Sequence, residues 1–77
     1  MKNATVLRPS EYLIDELMDV YVDWREACVE VHAAYQGWCS APSDDRAPAY
    51  VAYCTALDCE AAAAARYRSR FERLLAA

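Results

Sequence analysis

From Leu13 to Trp38 the apolar residues recur at alternating steps of four and three: Leu13, Leu17, Val20, Trp24, Ala27, Val31, Ala34 and Trp38. A stripe that follows the 3.6-residue turn this long describes a helix with one face laid against another helix. No proline interrupts the run, and the one glycine, Gly37, falls at its end. The chain is 77 residues long, which allows one domain.

Residues 1–9 show no periodicity and are expected to form a flexible arm. Ser10 can serve as N-cap, with Glu11 favourably placed at the positive end of the helix dipole. The first helix is therefore expected over about residues 10–38. It should end at Gly37 in a left-handed C′ conformation, or a few residues later before Pro42. The turn is expected over about residues 39–45, with Asp45 as N-cap of the second helix, so that Pro48 sits at a position where a missing N–H costs nothing. The second helix should run from about 46 to 75 with Tyr50, Cys54, Leu57, Ala61, Ala64, Arg68, Phe71 and Leu75 inward.

So short a connection predicts antiparallel helices, and the charges agree. If the turn centres near residue 43, Asp15, Glu16, Asp19 and Asp23 lie beside Arg73, Arg70, Arg68 and Arg66. A parallel alignment would set those acids beside Asp58 and Glu60. The predicted fold class is all-α, an antiparallel two-helix hairpin over residues 10–77. Trp24, centred on the seam, should be mostly buried. Arg68 on the inner face should reach Asp19 or carry its guanidinium out to water.

The first helix has more apolar surface than one neighbour can cover. Its seven acids between residues 11 and 30 all point away from the seam, while Ile14, Met18, Tyr21, Cys28, His32 and Cys39 widen the apolar arc sideways. One neighbouring helix covers only about a third of the circumference. This predicts a homodimer forming a four-helix bundle, with Ile14, Met18, Tyr21, Cys28 and His32 as interface residues. A heterologous protein would satisfy the same physics.

A net charge of −4 argues against nucleic acid or an anionic membrane surface as partner, since both require a basic footprint. The first ten residues carry no apolar signal run, and no stretch approaches the ~20 residues that span a bilayer. A cytoplasmic address is expected. The four cysteines, Cys28, Cys39, Cys54 and Cys59, then read as thiols.

Cys28 and His32 stand four apart, and Cys39 lies on nearly the same helix face, a geometry two zinc ligands can use. No Cys-x-x-Cys or His-x-x-x-His pair accompanies them, so a buried thiol beside an amphipathic imidazole is the plainer reading. No intrachain cysteine pair matches in both height and face. The Glu-x-x-His pattern of di-iron bundles is missing, because Val29 precedes His32 by three. With a single glycine there is no phosphate loop, and aromatic residues at helical spacing are more often core than pocket. The sequence thus reads as a helical interaction or assembly module, not an enzyme, with no cofactor. The alternative is a metal- or redox-responsive protein using Cys28, His32 and Cys39 with a thiol from the second helix.

Overall fold

Two helices and the turn between them make up the structure, a computed structural model that describes residues 9–76. The arm expected at residues 1–9 therefore lies outside the described residues, Pro9 excepted. Helix α1 spans Pro9–Ser40 and α2 spans Arg46–Ala76, with one 3₁₀ turn at Ser43–Asp45 between them. Proline at the first helical position loses no hydrogen bond. Ser10 falls inside α1 instead of ahead of it as N-cap.

Helix α1 does not stop at Gly37. The glycine stays out of the left-handed region and a Cβ there would meet nothing, so the ordinary helix runs on through it. The last turn is held by side chains. The Trp38 indole stacks on Tyr53, with centroids 5.5 Å apart and planes at 18°, and lies 4.9 Å from Tyr50. The Ser40 hydroxyl donates to the Gln36 carbonyl at 2.8 Å. The chain then reverses through two short bonds: the Ala41 N–H donates to the Trp38 carbonyl at 3.3 Å, and the Asp45 N–H to the Pro42 carbonyl at 2.9 Å. Arg46 reaches back to the Ala41 carbonyl from the first residue of α2.

The helices return antiparallel and in contact along their length. Tyr35 meets Tyr53 near the turn, Trp24 meets Tyr67 midway, and Glu16 meets Arg70 and Arg73 toward the open end. Of the four acids expected opposite the arginines, Glu16 alone forms ion pairs. Its carboxylate accepts from Arg73 at 2.9 Å and lies 3.8 Å from Arg70. The Arg73 pair is exposed and the Arg70 pair partly so, and their contribution is at most about 1 kcal/mol. They bias orientation more than they hold the fold.

The inner face of α1 is the expected one. Leu13, Leu17, Val20, Trp24, Ala27, Val31, Ala34 and Trp38 are all buried or half-buried. The inner face of α2 is not. Ala49, Tyr53, Ala56, Glu60, Ala63, Tyr67, Arg70 and Leu74 line it, each one residue before a position expected there. Helix 2 is thus turned by one residue, about 100°.

Specific contacts explain the turn. It stacks Tyr67 flat against Trp24, with centroids 5.6 Å apart and planes at 5°, and Tyr53 against Trp38. It also lets the Trp24 indole N–H donate to the Glu60 carboxylate at 2.8 Å. An indole donor in a helix interface needs an acceptor, and the expected register offered none. Ala63, 2% exposed, is small enough to let the two backbones close up beside Val20, 8% exposed. Those two are the only buried residues among those described; the rest are half-buried or exposed.

Candidate interaction surface

The row expected inside helix 2 is now on its flank. Tyr50, Leu57, Phe71 and Leu75 are exposed, Leu75 at 72%, and Cys54 and Ala64 are half-buried. Arg68 is exposed as well and makes no ion pair with Asp19. The expectation of an inward arginine fails because the whole helix is rotated.

This row and the flank of α1 lie on the same side of the hairpin. Seen from the open end, successive residues turn clockwise along α1 and, because α2 runs the other way, counterclockwise along it. Residues displaced toward Cys28 and Tyr21 on α1 therefore share a side with those one step beyond the inner row of α2. Contacts agree. The Tyr21 ring sits 5.6 Å from Tyr67, and Trp24, Ala64, Tyr67, Arg68 and Phe71 line one open hollow of about 400 Å³. A second hollow, about 300 Å³, is lined by Tyr35, Trp38, Cys39 and Arg46 near the turn. The Glu16–Arg73 pair marks the opposite side.

The hairpin is therefore two-sided. One side carries Ile14, Met18, Tyr21, Cys28, His32 and Cys39 from α1 with Tyr50, Leu57, Phe71 and Leu75 from α2. By helical spacing its charged or titratable groups are Glu11, Arg25, His32 and Arg68, with Glu11 one heptad before Met18 toward the open end. The other side carries Glu16, Asp23 and Glu30 opposite Arg66 and Arg73. Each interface residue expected on α1 lies on the apolar side: Ile14 47% and Met18 53% exposed, His32 exposed, Tyr21 and Cys28 half-buried.

The aromatic residues gather at two levels. Tyr21, Trp24, Tyr67 and Phe71 form one cluster, and Tyr35, Trp38, Tyr50 and Tyr53 another near the turn. Each hollow is an open notch beside one cluster, with its floor formed by packed rings. Two phenols in the second cluster are perturbed. Tyr35 is held above the ordinary tyrosine value, first by its hydrogen bond with Cys39 one turn on and then by the charge of that thiol. Tyr50 is raised the same way by Cys54. Both remain protonated at neutral pH, so they act as donors and not as bases.

The thiols do not assemble. All four cysteines are free, with Cys39 at the turn end of the apolar side and Cys59 exposed on the polar side. Among the described residues no three His, Cys, Asp or Glu side chains converge as a metal would require. Cys28, His32 and Cys39 share a face of α1, as their spacing implied, but no thiol of α2 joins them. No helix among the described residues is long and apolar enough to cross a membrane.

Comparison with protein-family models, with curated proteins and with solved structures finds no match for this chain. The functional reading accordingly rests on the surface itself. Sequence reasoning missed its α2 half, together with Glu60 and Tyr67. A signal for them existed: the row Ala49, Tyr53, Ala56, Glu60, Ala63, Tyr67, Arg70, Leu74 has the same four-three spacing, and its two tyrosines fall level with the two tryptophans.

Proposed function

We propose that this chain is a helical protein–protein interaction or assembly module, without catalytic activity of its own, that completes a four-helix bundle when its apolar side is covered. The observation behind it is the apolar side spanning both helices. Among the described residues this hairpin, one helix thick, buries only Val20 and Ala63, while Met18, Leu57, Phe71 and other large side chains face outward together. Contiguous apolar patches larger than a few hundred Å² are rare on monomers and mark interaction sites. Small domains commonly make up a thin core by association.

The metal- or redox-responsive reading has less support, because the thiols are dispersed over both sides of the hairpin. Native mass spectrometry of protein purified without chelator or reductant separates the two. The expected species is bare polypeptide with reduced thiols, in complexes of more than one chain. A chain carrying a stoichiometric metal ion, or lighter by the hydrogens of an internal disulfide, would overturn the module reading in favour of metal or redox response.

A further inference from the structure

Resting on that reading, we infer that the occupant of the apolar side is a second copy of this chain, seated through both helices and not through α1 alone. The area carries the inference first. Two helices of about 31 residues at 1.5 Å rise, side by side at about 10 Å each, present a face of about 900 Å². Covering it in two copies buries about 1,800 Å², within the range of stable specific dimers. A contact through the α1 flank alone would offer about half as much, below what a stable dimer needs.

Charge points the same way. Arg25 and Arg68 stand toward the margins of the apolar side, and neither makes an ion pair among the described residues. Asp15, Asp58 and Glu72 stand along the outer edges of the two helices, likewise without an ion pair. One copy laid face to face on another brings the margins of each against the edges of the other, so unpaired arginines meet unpaired acids. The buried centre then carries no carboxylate, and the arginine stems add apolar cover while their heads stay at the rim. Shape adds a further match. Ala61 and Ala64 leave a dip between Leu57 and Phe71 in the α2 row, where side chains as large as Met18 or Ile14 of the other copy can enter. Such a contact is isologous and closes at two copies.

The test combines sedimentation with thiol alkylation followed by mass spectrometry. Wild-type protein should sediment as a dimer at micromolar concentration. Met18→Glu on α1 and Phe71→Glu on α2 should each give a monomer of unchanged helical circular dichroism, because both positions are exposed in the isolated hairpin. Tyr12→Glu, exposed on the polar side, should remain dimeric. In the wild type, Cys28 and Cys54 should alkylate slowly and Cys59 fast, and the protection should vanish in the two monomeric variants.

Glutamate variants that stay dimeric would overturn the proposal by placing the contact on another surface, as would a dimer broken by Met18→Glu and untouched by Phe71→Glu. A monomeric wild type whose Cys28 and Cys54 react as fast as in the variants would overturn the second copy alone. The apolar side would then be open for a different protein. A monomeric wild type with those thiols protected would sink the module reading too, since the chain would be covering its own face.

Discussion

Replacing Trp24 by alanine removes the centre of the helix–helix contact, and the structure allows its cost to be built up by parts. The indole stacks on Tyr67 at 5.6 Å and lies 6.0 Å from Tyr21. Aromatic pairs of this kind contribute about 0.5–1.5 kcal/mol each beyond area burial. Its N–H donates to the Glu60 carboxylate at 2.8 Å, and a hydrogen bond to a charged group contributes about 1.5–3 kcal/mol. Trp24 is mostly buried, as its place on the seam suggested, though not completely. The total should therefore sit near the lower end of the range for large aromatic truncations, about 3 kcal/mol. For a chain of this size each kcal/mol moves the melting temperature by about 4–8 °C, so Trp24→Ala should melt more than about 10 °C below wild type. The assay is thermal circular dichroism at fixed concentration, with Trp24→Phe and Glu60→Gln alongside. Trp24→Phe keeps a ring on Tyr67 and loses the donor, and should fall between wild type and alanine. The double variant with Glu60→Gln should cost less than the two singles together, because the glutamine oxygen still accepts but without charge, and that charge-assisted part of the bond can be lost only once. A Trp24→Ala variant melting within two or three degrees of wild type, or strictly additive singles, would refute the one-residue rotation of α2.

Ala63→Leu forces three additional heavy atoms into the closest approach of the helices, where Ala63 is 2% exposed, and should destabilise by about 1–3 kcal/mol in urea titration. Gly37→Ala should stabilise by about 0.5–1 kcal/mol, because the position is helical and open and alanine restricts the unfolded chain; a destabilised variant would restore the left-handed C-cap. In a phenolate absorbance titration, Cys39→Ala should return Tyr35, and Cys54→Ala Tyr50, toward the ordinary value of 10.0. Since both are raised in the folded state, their contribution to stability is complete below that ordinary value and is lost as pH rises through the folded values; a phenolate titration unmoved by either cysteine variant would contradict the thiol contacts.

The helical class, the antiparallel return and the inner face of α1 were legible in the sequence because they follow from short-range periodicity. Leu13 to Trp38 presents one apolar stripe with no rival, since the acids occupy the alternative arc of that helix. The surplus apolar flank was legible for the same reason. Helix α2 had no such margin. Two rows one residue apart share its four-three spacing, and the one beginning at Tyr50, with Leu57, Phe71 and Leu75, is the more apolar. Periodicity ranks rows by hydrophobicity, so it chose that one. The tertiary structure turned the helix the other way for reasons that hydrophobicity does not encode. Flat rings stack on flat rings, an indole N–H needs an acceptor, and the smallest side chain belongs where two backbones come closest. The same rotation moved Leu57, Phe71 and Arg68 outward onto the side already crowded by Ile14 and Met18. Sequence alone established that α1 had apolar surface to spare, and only the partner helix, by its choice of face, decided that the surplus spans both helices.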